Sequence, residues 1–223
     1  MESAGTADVR EQVAAASRRL AAEGLVIGTA GNVSARTGDH VAITPTGAEL
    51  ATLDAADVTV VALNGAVLEG TLAPTSELDL HLGVYRRYDA GAVVHTHAPL
   101  ATALSCVLEG ELPCVHYAML MLGGSVPVAP YATFGTPELA RAVVEALEGK
   151  TAALMANHGA IAYAADVEKA VDASLLLEWA CDVYWRAVQV GAPRSLDAEQ
   201  QQAVVQAAVD RSYGTTQRLE ESE

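Results

Sequence analysis

The sequence is poor in the residues that several kinds of chemistry require. It has three cysteines, Cys106, Cys114 and Cys181, an odd number without a Cys-x-x-Cys pair, which indicates neither a disulfide framework nor a thiolate zinc site. Its two lysines, Lys150 and Lys169, both lie close to glutamate in polar surroundings. A Schiff-base mechanism needs a desolvated lysine of lowered pKa. Carbonyl chemistry in this chain would therefore have to rely on a metal.

Positive charge and long apolar runs are also scarce. The 13 Lys and Arg residues are outnumbered by 28 Asp and Glu residues, and a net charge of −15 argues against a nucleic acid or an anionic membrane as the partner. No apolar run reaches the roughly 18 residues that span a bilayer, and charges interrupt the N-terminal segment that a signal peptide would need. We expect a cytoplasmic protein.

The composition is that of a globular protein. The chain has 223 residues, of which 51% are hydrophobic and 18% charged, enough to bury a substantial core. No repeat or linker suggests a boundary, so we expect one domain over 1–223, with 214–223 frayed.

Helical and strand patterns alternate along the chain. An Asn64-Gly65 turn joins two of the strands as a hairpin, so the sheet is expected to be mixed or antiparallel rather than wholly parallel. Helices are predicted at 7–23, 99–107, 136–148, 166–190 and 197–211, with another beginning near 74–77. Strands are predicted at 33–36, 40–44, 58–63, 66–68, 92–97, 125–129 and 152–156.

Three histidines follow apolar runs. His95 and His97 are two residues apart at a strand end, so their side chains point to the same face about 7 Å apart. His158 closes a second apolar run just before Gly159. Alone, each could be a structural or surface histidine. Together they form a His₃ set with an open position, which is typical of a catalytic zinc site.

Glu77 is the candidate acid or base, and it has a simpler alternative. Ser76 and Asp79 resemble a capping box, and an acidic residue in a first helical turn complements the helix dipole. His81 lies four residues after Glu77, on the same helix face, as a supporting or core residue. His116 and His40 carry less weight, and His40 is expected at a hairpin surface.

Three short segments could bind an anion. A helix N-terminus with the Thr75 and Ser76 hydroxyl groups offers free backbone N–H groups, which is a suitable cradle for phosphate. The loops at 31–32 and 46–47 allow close approach of their backbone. Each is an ordinary turn when taken singly, and none is a Walker loop.

These pieces occur in an order that resembles the class II aldolase/adducin family. The similarity covers about 10–215. The segments that carry it are Gly28-Thr29-Ala30-Gly31-Asn32-Val33-Ser34, Ile43-Thr44-Pro45-Thr46-Gly47, Pro74-Thr75-Ser76-Glu77, His95-Thr96-His97, Tyr131-Ala132-Thr133-Phe134-Gly135-Thr136 and Asn157-His158-Gly159.

The resemblance implies a three-layer α/β/α fold with a central, largely antiparallel sheet, assembled as a homotetramer with active sites at subunit interfaces. It implies one zinc ion per subunit, with Glu77 as a ligand or nearby base. The implied metal ligands are His95, His97, His158 and Glu77. The implied phosphate-binding residues are Gly31, Asn32, Thr46, Gly47, Thr75 and Ser76. Tyr117 and Tyr213 match tyrosines that reach a neighbouring subunit's site.

The resemblance also implies an activity, the reversible cleavage of a ketose 1-phosphate to dihydroxyacetone phosphate and an aldehyde. L-Fuculose 1-phosphate, which would release L-lactaldehyde, or a close analogue such as a 5-deoxypentulose 1-phosphate is the expected substrate. Epimerase, dehydratase and decarboxylase activities share the His₃ metal, although Glu rather than Asp at position 77 favours the aldolase. A binding module without catalysis is the remaining alternative.

Two residues depart from the family pattern. Thr75 replaces the usual serine but keeps the hydroxyl group. Asn157 replaces a histidine that often precedes the ligand histidine, and could change the surroundings of the metal. Neither change removes a candidate ligand.

Overall fold

The computed structural model describes residues 4–214 and 216, with side chains from residue 7 onward. Its helices are α1 (Ala4–Ala22), α2 (Leu78–Arg87), α3 (Pro99–Ser105), α4 (Pro137–Ala146), α5 (Val167–Val190) and α6 (Ala198–Asp210). Its strands are β1 (Asn32–Thr37), β2 (His40–Ile43), β3 (Thr59–Ala62), β4 (Val67–Glu69), β5 (Ala92–Thr96), β6 (Glu111–Leu112), β7 (Val126–Ala129), β8 (Ala152–Met155) and β9 (Gly159–Ala164). Short 3₁₀ segments lie at Leu50–Thr52, Ala55–Asp57 and Tyr117–Leu122.

The nine strands form one sheet in the order β4-β3-β2-β1-β5-β9-β8-β7-β6. Every neighbouring pair is antiparallel except β7 and β8, which are parallel. The expected mixed, largely antiparallel sheet is therefore confirmed. Strand β5 lies at its centre, between β1 and β9.

Alternation along the strands divides the buried apolar residues into two layers. In β5, Ala92 and Val94 belong to one core and Val93 belongs to the other. The first core includes residues of α1, α3 and α5, and the second includes residues of α2 and α4. Because neighbouring strand residues face opposite sides, the sheet has helices on both faces. This is the predicted three-layer α/β/α arrangement.

Side-chain acceptors determine where several helices begin. Thr136 and Asp166 accept hydrogen bonds from the backbone N–H groups of Leu139 and Lys169 at the starts of α4 and α5. Helix α3 has no such residue of its own. Instead, the carboxylate of Glu178 on α5 accepts from the first N–H groups of α3 at 2.8 and 2.9 Å. This contact attaches the segment after β5 to the longest helix.

The structure differs from the sequence predictions mainly at β9. The sequence does not predict this strand, because Ala160-Ile161-Ala162-Tyr163-Ala164 contains few β-branched residues and follows a turn directly. The two-residue β6 is also absent from the prediction. Most of the predicted frayed end, 214–223, lies outside the described residues, and the single-domain assignment stays a prediction. Within the described residues, none of the helices is long and apolar enough to cross a membrane.

Gly159 allows β9 to pass close to β5. A β-carbon built on Gly159 would lie 2.4 Å from the carbonyl oxygen of Thr96, which is too close for any other residue. We expect Gly159→Ala to lower the free energy of unfolding by about 1–3 kcal/mol, because the strand backbones must separate. Urea denaturation of the purified protein measures this loss.

Gly191→Ala is the matched control. A β-carbon there meets no atom within 4 Å, and the backbone φ of 164° is extended. We expect its urea midpoint to equal that of the parent protein. Equal midpoints for both variants would contradict the close-approach explanation.

Candidate metal centre

His95 lies at the end of β5 on the face that packs against α2. Its neighbours across the sheet are Asn32 on β1 and Ile161 on β9. The ring is fully buried, and its Nδ1 donates a hydrogen bond to the carbonyl oxygen of Ala160 at 2.9 Å. This hydrogen bond orients the ring and directs its Nε2 toward the other two candidate histidines and Glu77.

His97 and His158 complete a cluster with His95. His97 follows β5 and His158 lies in the turn between β8 and β9. The ligand nitrogen atoms of the three rings all lie within 4.8 Å of one another, and the Nε2 atoms of His95 and His97 are 3.1 Å apart. Asn157 is exposed in the same turn with a φ of 56°, a left-handed conformation that asparagine tolerates. It therefore shapes the turn and does not pack beneath the cluster.

Glu77 directs its carboxylate at the histidines. One oxygen, Oε2, is 3.2 Å from Nε2 of His95, and the other, Oε1, is 3.5 Å from Nε2 of His158. The residue occupies the cap position before α2, but its side chain makes no capping hydrogen bond. The cap position is Glu77 rather than Ser76, so the capping box suggested by Ser76 and Asp79 does not form, while a contribution of the Glu77 charge to the helix dipole stays a prediction.

Burial and mutual contacts set the protonation of the cluster. Burial opposes ionisation of Glu77, but His95 and a hydrogen bond from Asn32 outweigh it and hold the pKa of the carboxyl well below its usual range. Burial lowers the pKa of His97 to about 4, helped by His95 and His158, and burial also lowers the pKa of His158. Near neutral pH the cluster therefore combines an ionised carboxylate with neutral rings at His97 and His158.

This donor set fits a divalent cation. Oε1 of Glu77 is buried and has no hydrogen-bond partner. A buried carboxylate oxygen without a donor is costly unless it meets a cation. Ligand atoms at about 2.0–2.1 Å from a tetrahedral ion lie about 3.3–3.4 Å apart, close to the separations of Glu77 from His95 and His158. His95, His97, His158 and Glu77 are the residues that would hold the ion.

The three candidate anion-binding segments lie side by side. The backbone N–H of Thr75 donates to the Thr44 carbonyl, and the N–H of Thr46 donates to the Ala73 carbonyl. The start of β1 joins them because Thr44 exchanges two hydrogen bonds with Val33. Gly31, Asn32, Thr46, Gly47, Thr75 and Ser76 are thereby placed close to the start of α2. Their role in binding phosphate stays a prediction.

The side chain of Asn32 contacts other protein side chains and is not available to bind a phosphate group. Its Nδ2 donates to Oε2 of Glu77 at 2.9 Å, and its Oδ1 contacts Nε2 of His81. Both polar atoms are engaged within the protein, so a phosphate contact at Asn32 would come through its backbone. The contact of Asn32 with Glu77 and His81 was not predicted from the sequence. The signals were the four-residue spacing of Glu77 and His81 and the asparagine at the start of β1.

The remaining candidates lie elsewhere. His40 is exposed at the start of β2, as predicted. His116 accepts a hydrogen bond from the N–H of Ala118 and begins the 3₁₀ segment that follows it. Tyr117 and Tyr213 are exposed and lie next to each other, and Tyr213 raises the pKa of Tyr117. They line a surface cavity together with residues of α6, and none of the four candidate metal ligands lines it.

Comparison with known proteins agrees with this geometry. The family described as Class II Aldolase and Adducin N-terminal domain matches residues 11–185. A 5-methylthioribulose-1-phosphate/5-deoxyribulose-1-phosphate aldolase of Rhodospirillum rubrum is 38% identical over 92% of this chain and 91% of its own length. An L-fuculose phosphate aldolase of Escherichia coli K12 is 41% identical over 82% of this chain and 85% of its own length.

A solved structure of an L-fuculose 1-phosphate aldolase superposes with a TM-score of 0.87 at 35% identity, covering 93% of this chain and 97% of that one. The fold and the site thus define a class II aldolase, a metal-dependent lyase. The chain belongs to the class II aldolase and adducin family.

Removing one histidine should weaken metal binding. We expect the protein to bind about one Zn²⁺ per chain after chelation and reloading, and His97→Ala to lower the affinity at least 100-fold, because one of the ring nitrogens that meet at the site is lost. Isothermal titration of the metal-free proteins measures both affinities. His40→Ala, at an exposed histidine, is the control and should bind like the parent. Equal affinity in His97→Ala would place the ion elsewhere.

Proposed function

We propose that the protein is a zinc-dependent aldolase that reversibly cleaves a ketose 1-phosphate to dihydroxyacetone phosphate and an aldehyde, in a cytoplasmic setting. The proposal rests on Glu77, which lies at the start of α2. Its carboxylate oxygen Oε1 has no hydrogen-bond partner and faces the cluster of three histidines. When bound there, the cation would supply Lewis-acid stabilisation for the negative charge that develops on the ketone oxygen as the bond between C3 and C4 breaks.

The substrate phosphate would bind at the adjoining segments. The dipole at the N-terminus of α2 would favour an anion there, and the Ser76 side chain is exposed at this position. Thr46 and Gly47 lie against it through the hydrogen bonds between 44–46 and 73–75. Binding at a distance from the reacting carbons would orient the chain and contribute energy to the transition state.

Two protons must move during cleavage. The C4 hydroxyl loses one as the aldehyde forms, and C3 gains one as dihydroxyacetone phosphate forms. Glu77 is the proposed group at C3, because its carboxylate oxygen Oε1 has no hydrogen-bond partner in the protein and can take a proton from C3 in the condensation direction and return it in cleavage. Oε2 is held by Asn32, so Oε1 is the proposed atom for this transfer.

The C4 proton needs a second group, and Tyr117 is the proposed one. Tyr117 and Tyr213 are exposed and share a surface cavity with the apolar side chains of Val204, Ala207 and Ala208 on α6. Such a surface fits contact with another subunit. We therefore propose a homotetramer in which these tyrosines complete a neighbour's active site.

Two sugar phosphates are candidate substrates. Relatives of similar identity include an aldolase of 5-deoxyribulose 1-phosphate and one of L-fuculose phosphate, and the first covers more of this chain. Both substrates are ketose 1-phosphates that would give dihydroxyacetone phosphate, and they differ in the aldehyde. An epimerase, dehydratase or decarboxylase would use the same centre without releasing this product.

A coupled assay for dihydroxyacetone phosphate tests the activity. We expect release from L-fuculose 1-phosphate or 5-deoxyribulose 1-phosphate that disappears after chelation and returns with Zn²⁺, because the charge on the ketone oxygen is otherwise unstabilised. The ratio of kcat/KM for the two sugars selects the substrate. No release of dihydroxyacetone phosphate from either sugar by zinc-loaded protein would contradict the aldolase proposal and favour another reaction of the same centre.

Replacing the carboxylate should separate catalysis from metal binding. We expect Glu77→Gln to retain Zn²⁺ through the three histidines while kcat falls at least 100-fold, because the amide cannot move the proton at C3. Metal content and steady-state rates measure the two effects. Asp79→Asn removes an exposed carboxylate two residues away and should keep full activity. Full activity in Glu77→Gln would remove Glu77 from the mechanism.

A further inference from the structure

A row of five polar side chains runs from the candidate metal centre into the second core. We call it the polar ladder, and its members in order are Glu77, Asn32, His81, Ser34 and Tyr85. Asn32 donates to Glu77 at 2.9 Å and contacts His81. Ser34 Oγ lies 2.7 Å from Nδ1 of His81 and 2.8 Å from the hydroxyl of Tyr85. All five side chains are buried.

The polar ladder forms because the spacing of its residues along the helix nearly equals the spacing along the strand. Glu77, His81 and Tyr85 are four residues apart, which places them about 6.0 Å apart along a helix on one face. Asn32 and Ser34 are two residues apart in β1, about 6.6–6.8 Å along a strand, and also share a face. Because the two spacings nearly agree, each strand side chain lies between two helix side chains.

The direction of every hydrogen bond follows from the carboxylate at one end. Ionised Glu77 can only accept, so Asn32 must present its Nδ2–H₂ group to Glu77 and its Oδ1 to His81. Nε2 of His81 must then carry a hydrogen. In a neutral ring Nδ1 is an acceptor, so Ser34 donates to it and accepts from Tyr85.

The hydrogen bond from His81 to Asn32 determines how the Glu77 carboxylate is held. If His81 did not donate to Oδ1, the Asn32 amide could rotate and turn its oxygen toward Glu77, where two acceptors would repel each other. Oε2 of Glu77 would lose its donor. Because Asn32 holds Oε2, the other oxygen, Oε1, remains directed at His158 without a partner of its own. The rest of the ladder thus determines which oxygen of Glu77 is free.

We propose that His81 is a positioning residue for Glu77: its Nε2–H fixes the Asn32 amide, and the amide holds Glu77 with Oε1 free for the cation and for proton transfer. The kinetic consequence rests on the proposed aldolase activity, but the hydrogen-bond pattern does not. The competing explanation is that His81 is a core residue whose hydrogen bonds only stabilise the fold.

The first test is spectroscopic and does not depend on activity. Two-dimensional ¹H–¹⁵N spectra of uniformly labelled protein, recorded metal-free and zinc-loaded, report the tautomer of each histidine. We expect His81 to show a protonated Nε2 and an unprotonated Nδ1 in both forms at pH 7. A protonated Nδ1, alone or in an imidazolium ring, would overturn the proposal whether or not the protein is an aldolase.

The second test uses three variants. We expect His81→Phe to keep the ring's bulk but lower kcat about 10–100-fold, the range typical of groups that orient metal ligands, with KM changed less than about threefold. His81→Gln carries an amide that can donate near the position of Nε2 and should recover most of the lost rate. Val84→Ala weakens the same helix at a buried apolar residue outside the ladder and should keep the parent kcat.

The outcomes separate the explanations. A normal kcat in His81→Phe, or an equal loss of kcat in Val84→Ala measured well below both melting temperatures, would show that His81 acts only through stability. If the parent protein lacks aldolase activity, the proposed function fails, and Zn²⁺ affinity replaces kcat as the measured quantity in the same three variants. If His81→Phe does not fold, the tautomer of His81 in the parent protein decides whether the proposal holds.

Discussion

The packing of α2 along β1 is the constraint on which the candidate site depends. A four-residue step on the helix nearly equals a two-residue step on the strand, so Glu77, His81 and Tyr85 interleave with Asn32 and Ser34. A displacement of either element by one residue would turn these groups into apolar surroundings and leave them without partners. The contact therefore aligns the helix and directs Glu77 at the histidines.

The register of the central strands supplies the other half of the site. His95 is paired with Asn32 on one side and Ile161 on the other, so the ring and the asparagine share a face. Gly159 permits β9 to approach Thr96 closely. Because β8 and β9 are joined by a short turn, the same approach brings His158 to His95. Asn32, His95 and His158, which are far apart in the sequence, thus come together without a long loop.

Much of this arrangement could be predicted. His95, His97, His158 and Glu77 were identifiable because apolar runs that end in histidine and a polar helix start are local patterns, and the structure brings all four together. Strand β9 was not predictable, because its alanines become a strand only when β5 and β8 pair with both edges. The contacts of Asn32 were not predictable either, since they depend on a helix that begins 46 residues later.

Short-range periodicity and residue chemistry were enough to predict the alternation of helices and strands, a mixed or antiparallel sheet and the residues capable of binding a metal. The packing of separate elements was needed to show that the Glu77 carboxylate faces His95 and His158, and that Asn32 contacts both Glu77 and His81. The reason is physical. The partner of a polar side chain depends on distance and burial, and both are determined when separate helices and strands pack together.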